Sequence, residues 1–232
     1  MLSRLSATEY KRIESDLETV PLVFGQTIYK SKGDIDYLYF PESGLFSIVG
    51  MPNTGKPIEI GLVGSEGFVG LSLLLGVSRS PNEIIVRADG TAHRIAARAA
   101  LAEFAHFGNF HDAVLLFAHE LFLQLSQVTS CNRHHPVEQR LSRWLLMMRE
   151  RVHNDRFSLT QEFLSWMLGV RHQAVSRAAS LLQEGGAIKY SRGVVTIVNR
   201  TKLEGRACGC YRVSHSRSNH NPDKPRPVFV PQ

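Results

Sequence analysis

Three hydrophobic periods follow one another along the chain. In residues 1–20, Leu5, Ile13, Leu17 and Val20 recur at helical spacings and Pro21 ends the run, which predicts a short amphipathic helix. From about 22 to 98 the period shortens. Runs such as Thr27-Ile28-Tyr29, Tyr37–Phe40, Leu45–Val49, Ile58–Val63, Ile84–Val86 and Ala92–Ile95 are broken by Lys32-Gly33-Asp34, Pro41–Gly44 and Pro52–Gly55. Many short strands at even spacing predict an antiparallel sandwich or roll. Inside it, Gly64–Gly70 followed by Leu71–Leu75 reads as a glycine-rich turn opening a short helix.

The longest helical stretch is 109–132. Val114, Ala118, Leu121, Leu125 and Val128 follow a 4-3-4-3 spacing, the seam of a coiled coil or the buried stripe of a core helix. After Pro136 a second helix carries Val137, Leu141, Trp144, Leu145, Met148 and Val152 on one face, with Arg140, Arg143, Arg149 and Arg151 on the other. Two short helices and a hairpin over Ala187–Val198 follow. From about Arg212 the pattern fades, and a disordered tail is expected.

The 232 residues are 43% hydrophobic and 21% charged, enough to bury a core. No apolar run reaches the ~20 residues of a membrane helix, and Met1–Leu5 meets Thr8-Glu9 too soon for a secretory leader. With three cysteines, an odd number, a reducing cytoplasm is expected rather than a disulfide framework. The net charge of +6 is unevenly shared: residues 1–132 hold 10 Lys and Arg against 14 Asp and Glu, and residues 133–232 hold 17 against 7. A basic C-terminal half attracts polyanions, nucleic acid first among them.

The chemistry concentrates in 159–182. Thr160 suits a helix N-cap and Glu162 the first turn, where the dipole favours an anion. Gly169 stops that helix and Val170 fills the corner. The next helix buries Ala174, Val175, Ala178, Leu181 and Leu182. Arg171, His172, Gln173, Ser176 and Arg177 are left on the free face near its start. This is a helix-turn-helix pattern whose second helix enters a major groove. Arginine bonds guanine O6 and N7 in bidentate fashion, glutamine adenine N6 and N7. The Ser191-Arg192-Gly193 turn adds a wing with Arg192 aimed at a phosphate.

These residues resemble the Crp/Fnr transcription regulators, and the resemblance spans about residues 5–211. Gln173-Ala174-Val175-Ser176-Arg177 is similar to that family's Glu-x-x-Ser-Arg signature. Phe24-Gly25-Gln26, Tyr39–Gly44 and Gly67-Phe68-Val69-Gly70 are similar to its roll. The resemblance implies an α+β fold: an antiparallel β-roll (a double-stranded β-helix, cyclic-nucleotide-binding-like), a long dimerisation helix and a winged helix-turn-helix. The expected bounds are 1–108, 109–135 and 136–212, with the tail at 213–232. The implied partners are a second copy through Val114, Ala118, Leu121, Leu125 and Val128, a pseudo-palindromic DNA operator and, for an activator, RNA polymerase. No enzyme activity, cofactor or membrane partner is expected. The effector pocket is placed at Gly67, Phe68, Val69, Gly70, Leu71, Arg79 and Asn82. Cyclic AMP is not expected there: Leu71 replaces the ribose-binding Glu and Asn82 falls at the phosphate-binding Arg, with Arg79 in reach only after a shifted gap. Gln173 in place of Glu changes the preferred operator.

Other groupings are read structurally. Cys131-Asn132-Arg133-His134-His135 is taken as the joint before the DNA-binding half, and Cys208-Gly209-Cys210 as two neighbouring thiols; no metal is expected. An iron–sulfur cluster would need about four thiolates, and no cysteine precedes Cys131. Glu9, Glu14, Asp16 and Glu18 read as a solvated face, and Trp144 and Trp166 as core. The rival classes are a cyclic-nucleotide-responsive subunit whose C-terminal half binds protein, and a metal enzyme on the Cys/His residues.

Overall fold

A computed structural model describes residues 1–52 and 56–211. The expected disordered tail lies outside the described residues. The chain opens with α1 (Ala7–Ile13), then β1 (Leu17–Leu22), β2 (Thr27–Tyr29), β3 (Tyr37–Pro41), β4 (Leu45–Gly50), β5 (Ile58–Val63), α2 (Leu71–Leu74), β6 (Glu83–Ala88) and β7 (Gly90–Ala96). The helices α3 (Ala97–Phe104), α4 (Asn109–His134) and α5 (Val137–Val152) follow. Last come β8 (Arg156–Ser158), α6 (Gln161–Leu168), α7 (His172–Glu184), β9 (Ile188–Ser191), β10 (Val194–Ile197) and α8 (Arg200–Arg206).

The alternating segments pair into two antiparallel sheets, ordered β1-β7-β3 and β2-β6-β4-β5, as an N-terminal roll requires. Their inward side chains, among them Leu38, Phe40, Phe46, Val86 and Ile95, form one core with Phe68, Phe110, Val114 and Phe117. The C-terminal part has its own core of Leu141, Leu145, Leu146, Leu164, Val175, Leu182 and Val195. Among the described residues no helix is long and apolar enough to cross a membrane.

The opening helix is shorter than the periodicity predicts. It stops at Ile13, and Leu17–Leu22 is a strand paired with β7, Leu17 opposite Ile95 and Leu22 opposite Gly90. Thr19 and Val20 suit a pleated surface, and β1 is an edge strand, where Pro21 costs no ladder bond in the sheet interior. Glu9 also departs from a solvated face. It is buried, closes a capping box with Ser6, and accepts from the Phe110 backbone N–H at the start of α4.

The apolar stripe of α4 is partly taken up by the chain's own roll. Val114 is wholly buried in the chain's own core, Leu121 packs against that core, and a Leu125 methyl lies against Gly61 of β5. Val114 is thus committed to the chain's own core, while Ala118, Leu121, Leu125 and Val128 are only half-buried. The residues one step round the helix are bare: Leu115, His119, Phe122, Ser126 and Thr129 are exposed. They keep the same 4-3-4-3 spacing.

Candidate nucleic-acid interface and its tether to the roll

The DNA-reading segment forms because each local signal agrees with the next. Thr160 Oγ1 accepts from the Phe163 N–H and caps α6. Gly169 ends α6 at φ 63°, with its N–H on the Trp166 carbonyl and the Val170 N–H on the Ser165 carbonyl, a Schellman closure. The turn aims α7 across α6, and Val175, Ala178, Ala179 and Leu182 go inward. Arg171, His172, Gln173 and Arg177 stay exposed. No side chain caps the N-terminus of α7, a helix end of the kind that can receive an anion.

Three sequence-distant parts meet at this end. Ser176 Oγ donates to Gln161 Oε1 at 3.1 Å and ties α7 to the start of α6, so the hydroxyl is engaged within the motif. At the wing tip Arg192 and Gly193 have φ of 50° and 74°, the two positive values of a tight hairpin between β9 and β10. Gly193 accepts from the Leu159 N–H at 2.7 Å, and a side chain added there would touch Thr160. Thr160, the leading face of α7 and exposed Arg192 thus share one edge. β8, which sequence periodicity missed, is the third strand of the wing and pairs with β10.

The predicted effector residues are not gathered in the same way. Phe68 is buried and stacks on Phe40 at 5.2 Å. A Cβ on Gly67 would sit 2.0 Å from the Phe117 ring, so the glycine exists for that contact. Val69 exchanges backbone bonds with Tyr39, and Gly70, at φ 104°, precedes α2, which begins at Leu71. Arg79 is exposed and paired with Asp34 at 3.2 Å, and the Asn82 carbonyl accepts from Ser80. Phe68 and Gly67 therefore serve packing, as expected of a turn kept for the fold.

What the sequence did not disclose is a polar seam between roll and DNA-binding part. Glu59 of β5 is buried; its carboxylate accepts from Ser47 Oγ at 2.7 Å and from Trp144 Nε1 at 2.5 Å. The Arg87 guanidinium lies 4.6 Å over the Phe163 ring of α6. Arg140 and Arg143, on the face opposite the predicted apolar one, are both buried, and Arg140 Nη2 donates to the Leu168 carbonyl at the end of α6. Trp144 is core, but Trp166 is partly exposed beneath the Lys56 ammonium. The one available signal was Glu59 itself, a lone acid in an otherwise apolar strand.

Burial raises the Glu59 carboxyl to about 6 from the ordinary 4.5, against the opposing bonds from Ser47 and Trp144 and the charges of Arg87 and Arg143. Between those two values the folded protein keeps a proton that the unfolded chain gives up. The contribution is fully present below pH 4.5 and is lost as pH rises through 6, leaving a buried charge that costs about 2 kcal/mol. Glu59→Gln keeps an acceptor for Trp144 and a donor for Ser47. It should raise the thermal midpoint at pH 7.5 and leave it unchanged near pH 4.5. Equal effects at both pH values would show that the charge is not the cause.

A Crp-like helix-turn-helix domain matches residues 139–206. No match was found among curated proteins. The fold is similar to a regulator of the Crp/Fnr family from Eubacterium rectale (TM-score 0.71, 18% identity, 90% of this chain and 96% of the other). A CRP family regulator from Thermus thermophilus gives 0.68, 16%, 81% and 96%. The c-di-GMP-responsive global regulator CLP of Xanthomonas campestris gives 0.67, 16%, 84% and 100%. Residues 139–206 therefore carry a Crp-like helix-turn-helix domain, and the chain as a whole has the fold of Crp/Fnr regulators.

Proposed function

We propose that the protein acts as a homodimer that reads a pseudo-palindromic operator, with α7 of each copy in successive major grooves about 34 Å apart. The observation that carries this is the shared edge of α7, Thr160 and the Arg192 wing tip, all solvent-facing on one side of the domain. Arg171, His172, Gln173 and Arg177 face the bases, and Arg192 and the uncapped end of α7 face phosphates. Ser176 positions α7 through Gln161. The divisions 1–108, 109–135 and 136–212 serve as sensing, dimerising and DNA-binding parts. A signal at the roll reaches the reading helix through the Glu59–Trp144 and Arg87–Phe163 contacts, provided it favours one arrangement over the other. The signal is not cyclic AMP, because Leu71 and Asn82 offer neither the carboxylate nor the guanidinium a cyclic phosphodiester needs. RNA polymerase is the further partner if the protein activates.

The test is binding to operators selected from random duplex DNA. Arg177→Ala should weaken the selected site by about 1–3 kcal/mol and relax preference at one base pair. Arg192→Ala should weaken selected and random duplexes alike and lower the salt slope by about 1. Identical behaviour of both variants on both duplexes would show that the reading helix is misassigned.

A further inference from the structure

The fold brings together two cysteine-bearing segments that lie 77 residues apart. Cys131 sits in the last turn of α4 and His135 follows that helix, four residues on and on the same face. Cys208 and Cys210 lie just beyond α8. The three Sγ atoms and one imidazole nitrogen lie within 4.8 Å of one another. Cys131 Sγ is 3.9 Å from Cys208 Sγ, and Cys210 Sγ is 3.9 Å from His135 Nδ1. A tetrahedral zinc ion with Zn–S of about 2.3 Å and Zn–N of about 2.0 Å holds its ligand atoms roughly 3.6–3.8 Å apart. Those two pairs are therefore within a few tenths of an ångström of ligand spacing, and the whole group is within about 1 Å of it.

We propose that Cys131, His135, Cys208 and Cys210 form a closed, four-coordinate zinc(II) site that staples the end of α4 to the end of the DNA-binding domain.

Three features besides the spacing point to a metal. The donor set, three thiols and one imidazole, is that of a structural zinc site, with no open position for chemistry. Cys131 and Cys208 are buried, and Gln127 Nε2 stands 2.9 Å from Cys210 Sγ and 3.8 Å from Cys131 Sγ, an N–H donor of the kind that supports metal-bound thiolates. A zinc ion with three thiolates carries one net negative charge. Beside it lie Arg140 and Arg143, two buried cations whose Nε atoms have no partner among the described residues. The anionic centre would balance them. A disulfide is the competing use of Cys131 and Cys208. It would need their sulfurs to close to about 2.0 Å, and it would leave Cys210, His135 and both arginines unexplained. The staple also fixes the angle between the helix proposed for dimerisation and the domain that carries α7, and Tyr211, buried next to it, donates to Glu150 of α5.

Reduced, metal-stripped full-length protein should be titrated with cobalt(II), then zinc(II). One cobalt per chain with the ligand-field bands of a tetrahedral thiolate complex is expected. Zinc should displace it, raise the thermal midpoint, and protect three thiols from alkylation. Cys208→Ser should abolish the bands, His134→Ala should keep them, and His135→Cys should keep the stoichiometry while strengthening sulfur-to-cobalt charge transfer. The His135→Cys result does not depend on a weakened fold, because all four ligand positions remain. Absence of stoichiometric cobalt from the wild-type chain would overturn the proposal. So would bands that persist unchanged in Cys208→Ser, or the same spectrum in His135→Cys as in the parent.

Discussion

Leu115→Glu combined with Phe122→Glu is expected to leave a folded chain that sediments as a monomer and has lost operator binding. Leu115 is 47% exposed and Phe122 67%, so neither holds up the core of its own chain, and substitutions there cost little folding energy. In the proposed dimer the same two side chains lie on the bare stripe of α4, and each would meet its twin. Four glutamates brought into one apolar seam are desolvated and mutually repelling. A monomer carries a single reading helix and keeps about half of the free energy of a two-half-site complex. Specific complexes of this kind bind at about 10⁻⁸–10⁻¹¹ M, so the loss should be at least about 10³-fold. Sedimentation and titration with the selected operator measure both halves of the claim. A double variant that remains a dimer, or a wild-type chain that is already a monomer, would show that this stripe is not the interface.

The contrast between that stripe and the one the sequence suggested shows where periodicity stops informing. The 4-3-4-3 pattern of Val114, Ala118, Leu121, Leu125 and Val128 correctly marks an apolar face on a long helix. It cannot say whether a second copy or the chain's own roll covers that face. Gly61 of β5 leaves room for Leu125 to lie against the sheet, so the chain itself takes up part of that face. The helix-turn-helix was legible almost residue by residue, because its determinants are local: the Thr160 cap, the Gly169 turn and the Arg192-Gly193 hairpin each act within a few positions. The strands of the roll were legible from alternation, except β1, where Leu17 and Val20 also fit a helical period and pairing with β7 overrides it.

Contacts far apart in sequence were not legible. Glu59 and Trp144 are separated by 85 positions and Cys131 and Cys208 by 77, and nothing local to either pair announces the other. The burial of Arg140 and Arg143 was hidden for the same reason. On an isolated helix they belong to the polar face, but α5 is covered on that side too, by β5 and the end of α6. A basic helix face predicts solvent only where nothing else packs on it.

Phe68→Ala is expected to lower the stability of the roll by about 3–5 kcal/mol, the usual cost of deleting a wholly buried aromatic ring. Phe68 is 1% exposed, its ring centroid lies 5.2 Å from that of Phe40 and 5.0 Å from that of Phe117, and the Val69–Tyr39 backbone pair beside it fixes its position. The substitution leaves a void walled by two aromatic rings that belong to different elements, β3 and α4, and neither can move into it without abandoning its own neighbours. For a unit of about 100 residues each kcal/mol corresponds to roughly 4–8 °C, so the midpoint should fall by about 12 °C or more. Arg79→Ala is the matched comparison, because the exposed pair with Asp34 is worth less than about 1 kcal/mol. The sequence resemblance put both residues in one effector pocket, and loss of a pocket contact would alter ligand response at nearly constant stability in both variants. A large fall for Phe68→Ala beside a negligible one for Arg79→Ala separates packing from recognition. An unchanged midpoint in Phe68→Ala would return that residue to the pocket and remove the glycine-rich turn from the core.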